Sequence, residues 1–192
     1  ADSRTILRRL RMNLTGLTPS FGEVQALEEP AGSDWQLIIN KLLASPGFGE
    51  RWARHWLDIA RYSDTKGYAY DPEEFTFVHG WLYRDWVVRA LNEDLPFDQF
   101  LMRQLAADQL LKLGECDISD LAAMGFLTLG RRFIGVEPDI IDDRIDVVTR
   151  GMLGLTASCA RCHDHKYDPI PTSDYYALYG IFNSSSEKLI AL

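Results

Sequence analysis

The chain has 192 residues, of which 46% are hydrophobic, 11% aromatic and 25% charged, and its formal net charge is −8. This length and hydrophobic content predict a single packed domain over residues 1–192 and exclude disorder along the whole chain. The acidic balance argues against a nucleic-acid partner, because no basic surface is present to release counterions from phosphates. No apolar run approaches 18 residues, so we expect no membrane span in this segment.

Helical spacing of apolar residues is the dominant pattern along the chain. No stretch alternates between apolar and polar residues over the length of a strand. N-cap residues, glycines and prolines divide the pattern into segments, and Ser33 with Gln36 forms a capping-box pair before the third. The predicted helices cover residues 6–14, 20–27, 35–43, 48–62, 74–91, 97–113, 119–127, 139–155 and 172–182, with loops at 65–72 and 130–138. The sequence therefore predicts an all-α fold, a compact multi-helix single domain.

Three cysteines are present, Cys116, Cys159 and Cys162, which are too few for a disulfide framework. The last two lie in the pentapeptide Cys159-Ala-Arg-Cys-His163. With three Cys and four His in the chain, chance would produce a Cys-x-x-Cys-His pentapeptide in roughly one such chain in a thousand. Cys116 lies between two acidic residues, and we expect it to be a free surface thiol.

The Cys-x-x-Cys-His pattern is typical of covalent haem c attachment. Two thiols three positions apart add to the two vinyl groups of one porphyrin, and the adjacent imidazole ligates the iron as a neutral base. We therefore expect Cys159 and Cys162 to hold the haem and His163 to be an iron ligand. Attachment of this kind takes place outside the cytoplasm, so an exported, periplasmic or extracytoplasmic protein is expected.

Other interpretations of the pentapeptide remain open. A structural zinc site could use Cys159, Cys162, His163 and His165, although zinc sites usually draw a second ligand pair from a distant segment. A thioredoxin-like redox pair would need a βαβ context, which the sequence does not predict. The thiols and the histidine could also serve no cofactor.

Much of the chain resembles the planctomycete cytochrome c-like domain family, the haem-motif domain of large secreted proteins, whose function is unknown. The matching stretches are LTGL at 14–17, LLASPGFGERWARHWLD at 42–58, YRDW at 83–86, NEDLPFDQF at 92–100, DDRIDVVTR at 142–150, LGLT at 153–156 and CARCHDHKYDPIP at 159–171, which runs into DYY at 174–176. The resemblance implies a c-type haem domain in exported proteins, followed in the parent chain by a further domain. It implies a cofactor rather than a reaction.

Few side chains are candidates for the second axial position of the iron. His55 lies between Trp52 and Trp56 on the predicted helix 48–62, so we expect it to point into the core, and it falls in a stretch that matches the family. We therefore name His55 together with His163 as candidate iron ligands. His165 is too close to His163 to reach the opposite face of one ring, and we expect it to bond a carboxylate, a backbone carbonyl or a haem propionate. Met124 and Met152 have helical spacing with other apolar residues and are predicted core residues, and an open sixth site is a further possibility.

Haem propionates need cationic partners, and Arg161 and Arg54 are candidates because a planar guanidinium pairs well with a carboxylate. Trp52 is a candidate for contact with the porphyrin. The remaining arginine candidates are Arg51, Arg61, Arg131 and Arg132. The acidic residues 139, 142, 143 and 146 lack the spacing of a calcium loop and predict a solvated acidic face.

Two functions follow from a haem of this kind. The first is electron transfer by a mono-haem c-type cytochrome domain, with a redox partner or an adjacent domain of a larger chain as its partner. The alternative is a haem enzyme or small-ligand binder, such as a peroxidase-like oxidoreductase with an open distal iron site. A third interpretation is an architectural domain without a redox role.

Overall fold

The computed structural model describes residues 1–27, 34–67 and 75–190. In these ranges the α-helices are α1 (Ser3–Thr15), α2 (Phe21–Ala26), α3 (Trp35–Leu43), α4 (Pro46–Ile59), α5 (Gly80–Asn92), α6 (Phe97–Leu113), α7 (Gly125–Thr128), α8 (Glu137–Val148) and α9 (Thr172–Asn183). Short 3₁₀ turns cover Ile118–Met124, Phe133–Gly135 and Ser158–Arg161, and a π-helical turn covers Thr149–Leu153. The described ranges contain no strand, only an isolated antiparallel bridge between Thr65 and Thr76. The predicted all-α fold is confirmed.

Side-chain caps explain where two of the early helices begin. Ser20 precedes α2, and its amide donates to the Glu23 carboxylate at 2.8 Å while the Glu23 amide donates to the Ser20 hydroxyl at 3.3 Å. The start predicted at Ser20 is therefore confirmed. At α3 the carboxylate of Asp34 accepts from the Leu37 amide at 3.1 Å. The capping-box pair predicted for Ser33 lies outside the described residues.

Helix α5 begins later than the apolar spacing predicts. The pattern predicted a helix from residue 74, but α5 starts at Gly80. The amide of Lys66 donates to the carbonyl of Phe75 at 2.9 Å, and the amide of Phe77 donates to the carbonyl of Asp64 at 2.9 Å. This antiparallel pairing uses backbone groups of residues 75–77 that a helix would need, so the helix cannot begin before them.

The segment predicted as one helix over 139–155 is divided in the structure. Helix α8 begins at Glu137, because Pro138 in its first turn suits a helix N-terminus. After Val148 the chain widens into the π-helical turn, which ends at Gly154 with a φ of +69°. Turns of this kind are often found beside functional sites, and this one immediately precedes the cysteine motif.

The chain divides into two compact units, which we describe separately. Unit 1 contains residues 1–56 and 87–96, and unit 2 contains residues 57–86 and 97–192. In unit 1, α4 and α5 approach closely at Gly49. Its amide donates to the Asn92 side-chain oxygen at 2.8 Å, and a Cβ at this position would lie 2.5 Å from the Val88 carbonyl oxygen. The prediction of one domain over residues 1–192 stays a prediction.

Unit 2 contains a buried polar network under its aromatic side chains. The Tyr83 hydroxyl donates to the Gln104 side-chain oxygen at 2.8 Å, and the Trp86 indole N–H donates to Asp120 at 2.8 Å. Arg103 lies 3.3 Å from the same Asp120 carboxylate. These bonds satisfy polar groups that would otherwise be costly to bury. No described helix is long and apolar enough to span a membrane.

A core cluster of unit 2 lies between α8, α9 and the 3₁₀ turn Ser158–Arg161. The side chains at its centre have at most 1% of their surface exposed. They are Ile141, Ile145, Ala157, Ala160 and Tyr175. Two of these five residues are alanines at the cysteine motif, so the core determines how the motif is displayed.

Candidate functional site at the Cys159–His163 motif

The cysteine motif begins in a 3₁₀ turn that is fixed to the core through Ala160 and through Ala157, which directly precedes the turn. The Ala160 amide donates to the Ala157 carbonyl at 2.9 Å, and the Cys162 amide donates to the Cys159 carbonyl at 3.3 Å. Ala160 has 0% of its surface exposed, whereas Cys159, Cys162 and His163 are all exposed. Both cysteines are free thiols. Burial of the alanine therefore leaves both thiols and the imidazole on the solvent side of the turn.

Arg161 ties the same turn to the neighbouring helices. Its guanidinium lies 2.9 Å from an Asp139 carboxylate oxygen and 3.6 Å from one of Asp142. The hydrogen bond to Asp139 raises the pKa of Arg161 above its ordinary value. The Tyr176 hydroxyl donates to the Arg161 backbone carbonyl at 3.1 Å. The guanidinium thus has protein carboxylates as partners, and its contact with a haem propionate stays a prediction.

The ring of His163 is held in a defined tautomer. Its Nδ1 lies 2.8 Å from the backbone carbonyl oxygen of Asp164. Because a carbonyl oxygen only accepts hydrogen bonds, Nδ1 must carry the hydrogen, and Nε2 of the neutral ring then carries the lone pair. An exposed imidazole with a free Nε2 lone pair is the form that ligates a transition metal.

His165, two residues further on, has the opposite role. Its Nδ1 accepts from the amide of Asp168 at 2.9 Å and from that of Tyr167 at 3.3 Å, and its own amide donates to the Ile170 carbonyl at 2.9 Å. The Asp168 carboxylate also lies 3.3 Å from Nδ1, but an Nδ1 that accepts amide hydrogens has no proton for an ion pair. The side chain is 9% exposed. The structure therefore gives His165 two backbone amides as partners, together with a carboxylate, which is one of the partners that the sequence predicted; contact with a haem propionate stays a prediction.

Apolar side chains near the motif in the sequence are unusually exposed. Leu153 and Leu155 precede it, and Tyr167 follows it; the exposed fractions are 64%, 37% and 83%. Tyr176, which bonds the backbone of the motif, is 51% exposed. A covalently attached porphyrin needs accessible thiols, an imidazole with a free nitrogen lone pair and apolar side chains that are not already buried. The donor set and its surroundings therefore fit a haem.

The geometry of the described residues bears on two alternatives, a structural zinc site and a thioredoxin-like redox pair. The described residues contain no group of three or more His, Cys, Asp or Glu side chains arranged to hold a metal ion. The set required by the zinc alternative, Cys159, Cys162, His163 and His165, is therefore not assembled. The same residues contain no βαβ unit of the kind that supports a thioredoxin-like pair.

The prediction that His55 points into the core is wrong. His55 is exposed, and its ring centroid lies 5.5 Å from that of Trp52, which is itself 42% exposed. In unit 1 the buried positions of α4 are Gly49 and Ala53, because small residues let neighbouring helices approach closely. The roles predicted for His55 at the iron and for Trp52 at the porphyrin stay predictions. The same holds for Arg54, which is exposed.

The four aspartates of α8 do not form the solvated face that the sequence predicted. Each of these four is paired with an arginine, and the guanidinium of Arg61 also donates to the Phe126 carbonyl at 2.8 Å. The pairs are Asp139 and Asp142 with Arg161, Asp143 with Arg61, and Asp146 with Arg150. Arg61, a candidate propionate partner, is thus bonded to protein groups within unit 2.

Arg132, another candidate propionate partner, and the predicted free thiol Cys116 have partners in unit 2. Arg132 pairs with Glu187, and Arg144 pairs with the same carboxylate. Cys116 is a free thiol, as predicted, but it is half-buried, and its Sγ lies 3.4 Å from the Ala107 carbonyl. Burial raises the pKa of this thiol.

One family model matches nearly the whole chain. Residues 1–187 match the model of the family PSCyt2, described as "Protein of unknown function (DUF1549)". The chain belongs to the PSCyt2 family. No curated protein and no solved structure matches the chain significantly. Membership of a family of unknown function is thus established over nearly the whole chain, and the cytochrome-like character stays a prediction.

Two residues of this PSCyt2 chain that organise the motif were not singled out from the sequence. They are Ala160 and Asp164. Asp164 is a polar residue within a stretch that resembled the family, which was the only sequence signal for it. Helical or strand periodicity could not show that Ala160 is buried, because the motif forms a 3₁₀ turn between two loops.

Proposed function

We propose that this chain is a mono-haem c-type cytochrome domain that carries out electron transfer in an exported, multidomain protein. The observation that carries the proposal is the display of two free thiols and one exposed imidazole, whose Nδ1 is bonded to a backbone carbonyl, at a single turn fixed to the core. No other group of cysteine and histidine side chains in the described residues offers this combination.

The chain's own residues would form both links to the haem. Each thiol, of Cys159 and of Cys162, adds across one vinyl double bond, so that sulfur bonds to one carbon and hydrogen to the other. This addition needs no oxidant, because the thiol hydrogen is retained in the product. His163 would supply Nε2 to the iron while its Nδ1 hydrogen remains on the Asp164 carbonyl.

The haem, when bound, supplies an iron that changes oxidation state by one electron. Around it the protein controls the axial ligand, solvent access and local charge. The exposed apolar residues that flank the motif in the sequence would be available to contact a porphyrin. The net charge of −8 favours a redox partner, or an adjacent domain of the parent chain, that presents a basic surface.

Absorption spectroscopy of the haem-loaded protein tests this function. Electron transfer predicts six-coordinate, low-spin spectra in both oxidation states and slow or no binding of carbon monoxide or cyanide. A five-coordinate, high-spin ferric spectrum with rapid cyanide binding would instead support a haem enzyme or small-ligand binder with an open distal site. In that case, turnover of peroxide with a reducing dye is expected.

Three substitutions locate the attachment within the chain. Cys159→Ser and Cys162→Ser should each leave a haem with one thioether, recognised by a red-shifted pyridine haemochrome, whereas Cys116→Ser should attach haem as the unaltered chain does. His163→Gly should change the coordination state, and His55→Ala tests the predicted second ligand. Identical spectra for His55→Ala and the unaltered protein would remove His55 from the iron.

A further inference from the structure

The loop between the motif and α9 carries a residue that acts at both ends. Asp164 accepts the Nδ1 hydrogen of His163 with its backbone carbonyl at 2.8 Å. Its side-chain Oδ1 accepts from the amide of Thr172, the first residue of α9, at 2.8 Å. One residue therefore bonds both the predicted iron ligand and the start of a helix that belongs to the core.

The side-chain bond is a helix cap supplied from outside the helix. Pro171, at the N-cap position of α9, has no side chain that can accept a hydrogen bond. Asp164 instead satisfies one of the unpaired amides of the first turn, and its negative charge is favourable at a helix N-terminus. Helix α9 is fixed in turn by Tyr175, which is 1% exposed in the core of unit 2.

The remaining loop residues hold the backbone of Asp164 from the other side. Cys162 precedes His163 on the fixed turn, and His165 bonds the amides of Tyr167 and Asp168. The residues on both sides of Asp164 are thus hydrogen-bonded, its carboxylate is attached to α9, and its carbonyl lies 2.8 Å from Nδ1 of His163.

We propose that Asp164 is the positioning residue of this site. Because its carboxylate is bonded to the start of α9, its backbone carbonyl holds the ring of His163 with the Nε2 lone pair of that ring outward. The role in iron ligation rests on the proposed haem function, whereas the choice of tautomer does not. A hydrogen bond on the non-ligating nitrogen fixes ring orientation and raises the basicity of the ligand. Loss of the bond should therefore make the ferric state less favourable and raise the reduction potential of the attached haem.

Four substitutions separate positioning from general stability. Asp164→Ala removes the cap, and Asp164→Asn keeps an oxygen that can accept from the Thr172 amide. Thr172→Pro removes that amide while suiting the first helical position, where proline is favoured and Pro171 already has an extended backbone. Asp174→Ala is the matched control, because it removes a carboxylate from the first turn of α9 without a bond to the loop.

The first readout is the His163 tautomer, measured by ¹⁵N NMR on the full chain without haem, under reducing conditions and at a pH where the spectrum shows a neutral ring. The unaltered chain, Asp164→Asn and Asp174→Ala should show the Nδ1–H form. Asp164→Ala and Thr172→Pro should shift toward the Nε2–H form that free imidazole rings favour. If Asp164→Ala does not fold, Thr172→Pro decides the result.

The second readout is the midpoint potential of the haem-loaded protein. It should rise in Asp164→Ala and Thr172→Pro and stay unchanged in Asp164→Asn and Asp174→Ala. Unchanged tautomer and potential in both altered variants would overturn the role of Asp164. Failure to attach haem in any chain, with the tautomer shift still present, would instead overturn the proposed function and leave the positioning of His163 intact.

Discussion

Ala160 and Arg161 occupy the two middle positions of the cysteine motif, and they should respond very differently to substitution. Ala160 has 0% of its surface exposed and packs in the cluster that contains Ile141, Ile145 and Tyr175. Arg161 has a side chain that is 36% exposed. We therefore expect Ala160→Val, which adds only two methyl groups, to destabilise the protein more than Arg161→Ala, which removes most of a long side chain.

The sizes of the two effects follow from packing and from screening. Valine adds two methyl groups at position 160, where overpacking costs about 1–3 kcal/mol. Arg161→Ala removes two ion pairs at 2.9 and 3.6 Å, which solvent and salt reduce to about 1 kcal/mol or less in total. With a urea dependence of about 2 kcal/mol per molar, the unfolding midpoint should fall by roughly 0.5–1.5 M for Ala160→Val and by no more than about 0.5 M for Arg161→Ala.

Urea unfolding followed by circular dichroism measures both changes, and Ala160→Gly provides a variant that cannot overpack. An Ala160→Val protein with the midpoint of the unaltered chain would refute the reasoning, because the alanine could not then be what fixes the turn to the core. So would an Arg161→Ala protein that is less stable than Ala160→Val.

Three other changes test separate parts of the structure. Gly49→Ala should cost about 1–3 kcal/mol in urea unfolding, because its Cβ would meet a backbone carbonyl of α5 at 2.5 Å, whereas Gly22→Ala, with nothing within 4 Å, should not destabilise; equal effects would contradict the close approach. Burial alone would raise the pKa of Glu187, but its arginine partners, including Arg144, lower it overall. The contact therefore stabilises the fold above the ordinary glutamate pKa of about 4.3, and this stabilisation is lost as the pH falls through the lower pKa of the folded state. Glu187→Gln should therefore lose less stability than the unaltered chain between pH 6 and pH 3, and parallel pH profiles would refute the assignment. His165→Ala should speed hydrogen exchange at the amides of the following loop by roughly tenfold, from the loss of about 1–2 kcal/mol of hydrogen bonding; unchanged exchange would remove His165 from its role.

The sequence predicted the helices well where apolar spacing and caps agree. The bounds of the segment at 97–113 and the start at Ser20 are found as predicted, although the backbone of Ala106 departs from helical geometry and kinks α6. The start of α5 was missed because pairing of residues 64–66 with 75–77 joins segments that are separated in sequence. Local periodicity carries no information about such a contact.

The cysteine motif itself was evident from the sequence, but its surroundings were not. The spacing of Cys159, Cys162 and His163 predicts haem attachment, and this stays a prediction. It did not predict that Asp164 bonds both His163 and α9, because one polar residue in a loop has no pattern that reveals its partners. The burial of His55 was predicted wrongly, since an aromatic stripe on a helix resembles a core face even when glycine and alanine form the contact.

Intact-mass spectrometry of the full chain tests the central claim most directly. The protein should be produced in a host that attaches haem to exported proteins, then denatured and acidified so that any haem not covalently bound is lost. The account predicts that the mass exceeds that of the polypeptide by one haem, and that the peptide containing Cys159 and Cys162 carries the whole increase. A chain with the mass of the bare polypeptide, produced by a host that attaches haem to a control cytochrome in the same culture, would contradict it.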